Sequence, residues 1–142
     1  MAVADATLED TRSSGPYAIL VADDDDGCRA TLSGWLRERG FTTHRAACGE
    51  EAIEIAQSEP IDLAVFDLDM PRMTGLEALQ QVRVFHSRLP ALLVTAAPTP
   101  EVIRQARLAQ VYSVLPKPVN PSLLLHMLVR ALRGAYPARP AE

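Results

Sequence analysis

The stretch YAILVADDDDG, residues 17–27, decides how the rest of the chain is interpreted. Its apolar run, Ala18–Ala22, is typical of a short strand that is buried on both faces of a parallel sheet. Four consecutive aspartates follow, and neighbouring carboxylates repel one another unless a cation or a helix start stabilises them. The stretch therefore predicts a buried strand that brings carboxylates to one edge of a sheet.

Composition excludes several classes of function. The 142 residues are 48% hydrophobic, which is enough to fill the core of one domain of ordinary size. The formal net charge of −4 does not suggest a nucleic-acid-binding surface. No apolar run approaches the roughly 20 residues that cross a bilayer, and residues 1–16 lack the features of a signal peptide. We expect a cytoplasmic domain that contacts neither nucleic acid nor membrane directly.

Short apolar runs alternate along the chain with segments whose apolar residues follow helical spacing. The predicted strands are Ala18–Ala22, Thr42–Ala46, Leu63–Phe66, Ala91–Val94 and Tyr112–Leu115. The predicted helices cover residues 26–39, 50–58, 75–86, 99–109 and 120–133. Five strand–helix repeats predict an α/β fold with a doubly wound parallel sheet and helices on both faces. The domain spans residues 17–133, and residues 1–16 and 134–142 are expected to be flexible tails.

Polar residues stand where four of the predicted strands end. They are Asp23, Asp24, Asp67, Thr95 and Lys117, the last being the one lysine among 14 basic residues. Any one of them alone fits a turn, a helix cap or a packing residue. Because parallel strands share one carboxyl edge, where ligands bind in such sheets, all five are expected to converge there.

Three carboxylates held together require a compensating cation, and an all-oxygen set of ligands favours Mg²⁺ over Ca²⁺. A carboxylate beside bound Mg²⁺ can accept a phosphoryl group as an acyl phosphate. A lysine ammonium and a threonine hydroxyl would then stabilise the phosphoryl oxygens. Asp25 and Asp26 are left to begin the first helix, whose positive end suits acidic residues.

Four motifs together resemble the receiver domain of two-component response regulators. They are VADD at residues 21–24, VFDLDMPRMTG at 65–75, LVTA at 93–96 and KP at 117–118. The pattern D-x-x-M-P-x-M-x-G within the second motif is the most specific of these. The resemblance covers about residues 17–133 and implies a flavodoxin-like receiver fold with strand order 2-1-3-4-5.

The resemblance implies an acceptor and a metal site. Asp67 would be the phospho-acceptor, and it would hold Mg²⁺ together with Asp23 and Asp24, of which Asp24 would bind the metal more directly. Asp69, two residues after the acceptor, would offer its backbone carbonyl to the metal. Asp69 and Ala97 also stand where receivers tune the loss of the phosphoryl group.

The resemblance also implies roles for residues that respond to the phosphoryl group. Thr95 would bind that group and move toward it on activation, and Lys117 would pair with it, with a cis peptide bond to Pro118. Gly75 would permit the turn of the loop before the third helix. Such a domain signals through its phosphorylation and is not an enzyme that turns over a substrate.

The partners implied are a histidine kinase or phosphotransfer protein as donor and a downstream protein that the sequence does not identify. We expect no output domain after residue 133, so the output would be a change of protein contacts, homodimerisation or phosphate relay. The implied surface is the fourth helix, fifth strand and fifth helix. Its candidate contact residues are Arg104, Arg107, Arg130 and Arg133.

Three departures from the receiver pattern lie near this surface. Val114 stands where an aromatic residue usually sits three positions before the lysine, and Tyr112 lies two positions earlier. Gln110-Val111 replaces the usual Gly-Ala before the fifth strand, and Pro98 and Pro100 stiffen the loop after the threonine. These departures predict a restrained or differently routed output.

Other functions remain open on the sequence alone. The chain could be a receiver-fold interaction module that is not phosphorylated, or a receiver cut from a longer hybrid kinase, although its start at Met1 favours a stand-alone protein. Residues 65–69 also resemble the first motif of haloacid dehalogenase-like phosphatases. In that family, however, the acidic metal pair follows the nucleophile, whereas Asp23 and Asp24 precede Asp67 here.

Overall fold

Five parallel strands alternate with five helices in the computed structural model of this chain, which describes residues 16–137. The strands are β1 (Ala18–Ala22), β2 (Thr42–Ala46), β3 (Leu63–Asp67), β4 (Ala91–Thr95) and β5 (Ser113–Pro116). The helices are α1 (Asp26–Glu38), α2 (Gly49–Ser58), α3 (Gly75–Phe85), α4 (Pro100–Leu108) and α5 (Pro121–Ala135). The sheet order β2-β1-β3-β4-β5 confirms the predicted doubly wound fold. Residues 1–15, in the first predicted tail, lie outside the described residues.

The sheet is buried on both faces because alternate side chains of each strand enter two separate hydrophobic clusters. Ile19 and Val21 of β1 pack with the apolar side chains of α1 and α5. Leu20 and Ala22 of the same strand pack with those of α2, α3 and α4. This double burial is the physical reason for the continuous apolar runs in the sequence.

The register of the strands makes their carboxyl ends level with one another. Asp67 lies opposite Val94, and Thr95 lies opposite Pro116, in two neighbouring parallel pairs. The backbone N–H of Lys117 then donates to the carbonyl of Thr95 at 2.9 Å. Polar residues that follow different strands are therefore brought to the same edge of the sheet.

Helices α1, α4 and α5 each begin at a residue whose side chain caps the helix. Asp25 caps α1 by accepting a hydrogen bond from the N–H of Cys28 at 2.9 Å. Thr99 caps α4 and Asn120 caps α5, each followed by a proline in the first turn. Within residues 16–137, no helix has both the length and the apolar character required to cross a bilayer.

The folded region extends beyond the predicted boundary at residue 133. Helix α5 continues to Ala135, and the ring of Tyr136 lies 5.9 Å from the ring of Tyr17. The Tyr136 hydroxyl donates to the backbone carbonyl of Asp62 at 2.8 Å. The predicted start of the second tail at residue 134 is therefore too early, because this long-range packing leaves no periodic signal in the sequence. Residues 138–142 lie outside the described part of the chain.

Helix α4 ends without glycine, as its sequence predicted. Gln110 adopts the left-handed conformation, with a φ of 58°, directly after the helix. The Arg83 guanidinium donates to the backbone carbonyls of Leu89, Ala109 and Gln110. These hydrogen bonds hold the turn in a conformation that costs an L-residue about 1–2 kcal/mol.

Gln110→Gly is expected to raise the free energy of unfolding by about 0.5–1 kcal/mol, because glycine adopts this φ without steric cost but loses more backbone entropy on folding. Urea denaturation measures the change. Gln81→Gly is the matched control, since Gln81 is an exposed interior residue of α3, where glycine costs about 1 kcal/mol. Equal effects of the two substitutions would contradict the prediction.

Candidate functional site at the carboxyl edge of the sheet

The predicted site residues converge on one partly enclosed cluster. Lys117 places its Nζ 3.3 Å from Oδ2 of Asp23 and 3.2 Å from Oδ2 of Asp67. Both carboxylates are buried, with exposed fractions of 1% and 3%, and Thr95 is fully buried. The peptide bond between Lys117 and Pro118 is cis, as the resemblance implied. Asp23, Asp67 and Lys117 therefore lie together at one edge of the sheet, as the predicted topology required.

The two buried carboxylates are oriented by the same local geometry. Oδ1 of Asp23 accepts the N–H of Asp25 at 2.9 Å, and Oδ1 of Asp67 accepts the N–H of Asp69 at 3.1 Å. In each case the aspartate bonds to the backbone two residues later, as aspartates commonly do in turns. The two Oδ2 atoms are thereby left facing Lys117.

Three carboxylates provide the elements of a metal site. Asp23, Asp24 and Asp67 each offer one oxygen atom, and these three atoms lie within 4.8 Å of one another. Oδ2 of Asp23 is buried and accepts no hydrogen bond, although it lies in ionic contact with Lys117. Three carboxylates and one ammonium leave excess negative charge, which a hard divalent cation with oxygen ligands would neutralise. The residues present therefore fit a Mg²⁺ ion.

The electrostatics of the cluster reflect burial and like charge. Burial and the charge of Asp23 raise the pKa of Asp67 from 3.8 to about 6, against the opposing effects of the Asp69 N–H and Lys117. Burial alone would lower the pKa of Lys117, but Asp23 and Asp67 together raise it, so the ammonium stays charged. Burial and the adjacent Asp23 raise the pKa of Cys28 to about 12, which keeps this thiol protonated.

The side chain of Asp69 belongs to the site, which the sequence did not predict. The hydroxyl of Thr95 donates to Oδ2 of Asp69 at 3.0 Å and accepts the N–H of Ala97 at 3.1 Å. The resemblance implied a metal-binding role for the backbone carbonyl of Asp69 and an influence of this position on the loss of the phosphoryl group, but no contact with Thr95. No periodic signal could have revealed this contact, because Asp69 lies in the loop after β3 and meets a different strand.

The first turn of α1 adds a second residue that the sequence analysis missed. Arg29 donates from Nη1 to the backbone carbonyl of Asp23 at 2.7 Å and pairs through Nη2 with Asp26. The spacing of three between Asp26 and Arg29 is that of a helical ion pair and could have indicated part of this arrangement. Arg29 thus helps to fix the backbone that carries a buried carboxylate.

Glycine is required at position 75 for a different reason from the one predicted. Its φ is not in the left-handed region, which in the preceding loop is occupied by Arg72 with a φ of 68°. A Cβ atom at Gly75 would lie only 2.4 Å from the carbonyl oxygen of Asp67 and 3.0 Å from Cβ of Phe66. Glycine is required because the start of α3 approaches the end of β3 closely, and not because the loop turns there. The predicted role is corrected in this respect.

The residues that depart from the usual receiver pattern on the surface formed by α4, β5 and α5 are accommodated by local packing. Val114 is half-buried and packs against the cluster on the α2–α4 side of the sheet. Tyr112 is 43% exposed, and its hydroxyl accepts a hydrogen bond from Nε of Arg130 at 3.3 Å. Arg104 forms an ion pair with Glu101 of its own helix. The aromatic side chain is therefore present beside the predicted position and is held at the surface by a cation.

Doubly wound α/β folds bind ligands at the carboxyl edge of the sheet, and an acidic cluster with a lysine at that edge suits a metal ion and a phosphoryl group. The sequence profile of the response regulator receiver domain matches residues 19–129. The chain therefore belongs to the response regulator receiver family. Receiver domains are signalling domains that bind Mg²⁺ at an acidic pocket.

Curated relatives share about a third of their aligned residues with this chain. A cyclic di-GMP phosphodiesterase of Thermotoga maritima is 31% identical over 82% of this chain, which corresponds to 31% of its own length. Regulatory protein AtoC of Escherichia coli is 32% identical over 81% of the chain and 25% of its own length. Response regulator MprA of Mycolicibacterium vanbaalenii is 34% identical over 86% of the chain and 53% of its own length. The chain thus spans between a quarter and about half of these relatives.

Solved structures match over nearly their whole length. The chemotaxis protein CheY4 of Vibrio cholerae has a TM-score of 0.79 and 32% identity, and the match covers 82% of this chain and 99% of that one. A CheY-like receiver domain of Methanospirillum hungatei has a TM-score of 0.81 and 26% identity, with coverage of 85% and 97%. The described fold is therefore that of a CheY-like receiver domain.

Gly75→Ala is expected to lower the free energy of unfolding by about 1–3 kcal/mol, because the atoms that a new Cβ would meet belong to backbone that cannot move independently. Gly34→Ala in α1 is the control, since a Cβ there has no neighbour within 4 Å. That substitution should stabilise the protein by about 0.5–1 kcal/mol. Urea denaturation compares the two variants, and a neutral Gly75→Ala would contradict the close approach.

Proposed function

We propose that Asp67 accepts a phosphoryl group in a Mg²⁺-dependent reaction and that the phosphorylated domain signals through changed protein contacts. The observation that supports this most strongly is the pair of buried carboxylates, Asp23 and Asp67, that share the Lys117 ammonium beside a buried Thr95 hydroxyl. Membership of the receiver family points in the same direction. The donor would be the phosphohistidine of a histidine kinase or a phosphotransfer protein.

The reaction would be a transfer between two nucleophiles. An oxygen of Asp67 attacks the phosphorus atom, the bond between phosphorus and the donor nitrogen breaks, and that nitrogen keeps the electron pair. Lys117 lies within 3.2 Å of the attacked carboxylate and can follow the charge that develops on the phosphoryl oxygens. The Thr95 hydroxyl can donate a hydrogen bond to one of those oxygens.

Mg²⁺ would be held by the carboxylates of Asp23, Asp24 and Asp67, and by the backbone carbonyl of Asp69. When bound, the ion supplies positive charge that offsets the approach of an anionic phosphoryl group to an anionic acceptor. The proximity of the three carboxylate oxygens supports this assignment, as does the buried Oδ2 of Asp23, which accepts no hydrogen bond. The phosphotransfer would place the protein in the cytoplasm, where kinases use ATP.

Output would pass through the α4–β5–α5 surface to a downstream protein or to a second copy of this chain. Ile103 and Tyr112 expose 39% and 43% of their surface there, which suits a protein contact. Arg107 and Arg133, also exposed, would contribute charged contacts at its rim. Because Val114 cannot rotate inward as an aromatic residue would, Tyr112 would respond only by releasing its contact with Arg130.

The alternatives have less support. The family match favours a receiver over a haloacid dehalogenase-like phosphatase, and the chain corresponds to only 31% of the length of its phosphodiesterase relative. An unphosphorylated interaction module would not require a half-buried lysine between two buried carboxylates. The proposal accordingly gives this chain no catalytic turnover of a separate substrate.

Acetyl phosphate with Mg²⁺ is expected to add one phosphoryl group, and intact-mass measurement should detect it. Asp67→Asn should abolish the addition, because an amide does not form an acyl phosphate, and a chelator should abolish it in the unchanged protein. Asp25→Asn is the matched control, since asparagine also caps a helix and the labelling should persist. Labelling of Asp67→Asn to the same extent would contradict the proposed acceptor.

Mg²⁺ is expected to raise the free energy of unfolding in proportion to the logarithm of its concentration, because it binds only the folded site. Asp24→Asn should weaken the ion's apparent affinity about tenfold or more, whereas Asp25→Asn should leave it nearly unchanged. Urea denaturation at constant ionic strength, with MgCl₂ replacing NaCl, measures both. If the free energy of unfolding depended equally on Mg²⁺ in the two variants, Asp24 would not be a metal ligand.

A further inference from the structure

We propose that the carboxylate of Asp69 is a positioning group for Thr95: it holds the Thr95 hydroxyl in the resting protein and competes with the phosphoryl group on Asp67 for the same proton. The inference rests on the proposed phosphorylation of Asp67. It assigns to the side chain of Asp69 a role separate from that of its backbone carbonyl.

The hydroxyl of Thr95 has a single proton, and in the unphosphorylated structure it donates that proton in a hydrogen bond to Asp69. Thr95 is fully buried, and its Oγ1 donates to Oδ2 of Asp69 at 3.0 Å while accepting the N–H of Ala97. A hydroxyl donates one hydrogen bond at a time. Thr95 therefore cannot donate to a phosphoryl oxygen until it releases the carboxylate.

Asp69 contacts both residues that the phosphoryl group would join. Its N–H donates to Oδ1 of Asp67 at 3.1 Å, and its carboxylate accepts from Thr95 at 3.0 Å. A phosphoryl group on Asp67 would add negative charge beside the Asp69 carboxylate and repel it. Phosphorylation of Asp67 would thus offer the Thr95 hydroxyl a phosphoryl oxygen as a new acceptor and would weaken its hydrogen bond to the Asp69 carboxylate.

The surroundings leave the Asp69 side chain room to move. Asp69 is exposed, and with Leu68 it lines a groove of about 530 Å³ between α3 and α4. Leu76 and Leu108 line the helical sides of this groove. The carboxylate can therefore turn into solvent when Thr95 releases it, without displacing a packed side chain.

The first experiment tests the contact in the resting protein, by a double-mutant cycle of Asp69→Ala and Thr95→Val in Mg²⁺-free buffer. The two substitutions should be coupled by about tenfold in the unfolding equilibrium constant, as expected for a hydrogen bond to a charged acceptor. Thr95→Ser keeps the hydroxyl and is the control that should show no coupling with Asp69→Ala, whereas Thr95→Ala, which also removes the hydroxyl, replaces valine if that variant impairs folding. Additive effects of Asp69→Ala with the variants that lack the hydroxyl would overturn the proposal.

The second experiment tests the competition, by measuring the affinity for beryllofluoride, a phosphoryl analogue, with Mg²⁺ in the same four proteins. Asp69→Ala should tighten binding more in the Thr95 background than in the Thr95→Val background, by about tenfold. Loss of charge repulsion alone would tighten binding equally in both backgrounds, and that result would overturn the proposal. Asp69→Asn keeps a hydrogen-bond acceptor without the charge, so its affinity for beryllofluoride should lie between the affinities of the unchanged protein and of Asp69→Ala.

The two experiments distinguish failure of the proposed phosphorylation from failure of the proposed role of Asp69. If beryllofluoride binds none of the four proteins and acetyl phosphate does not label Asp67, phosphorylation itself is refuted and the competition with it. If both reagents act on Asp67 but the affinity cycle is additive, the phospho-acceptor role stands and the role of the Asp69 carboxylate is refuted.

Discussion

The shared ion pair of Lys117 with Asp23 and Asp67 is the interaction on which the site depends. Two buried carboxylates so close together would repel each other strongly without an intervening cation. The ammonium partly relieves this repulsion and leaves enough negative charge to bind a divalent ion. A compact ammonium on a flexible stem can lie between two carboxylates, where the planar guanidinium of arginine would impose its own geometry.

The two buried carboxylates are presented by the same turn used twice. Asp23 follows β1 and Asp67 ends β3, in adjacent strands, and each accepts through Oδ1 the N–H of the residue two positions later. This repetition leaves both Oδ2 atoms facing the same lysine. It also gives Asp25 and Asp69 a backbone contact with the site, and the side chain of Asp69 contacts Thr95 as well.

The surface beside the site differs from the usual receiver pattern in ways that the packing makes intelligible. Gln110 keeps a left-handed turn without glycine because Arg83 donates to the carbonyls around it. Val114 occupies a half-buried place where an aromatic side chain would otherwise lie, and Tyr112 contacts Arg130 instead. These compensations preserve the fold, so the departures bear on how the surface responds and not on whether it forms.

The sequence by itself determined the alternation of strands and helices and the convergence of Asp23, Asp67 and Lys117, because burial on both faces imposes apolar runs and parallel strands share one edge. Only the tertiary structure decided the contact of the Asp69 carboxylate with Thr95 and the need for glycine at position 75. Both depend on the distance between segments that are remote in sequence or on the approach of one backbone to another. Neither distance is encoded in the period of apolar residues along the chain.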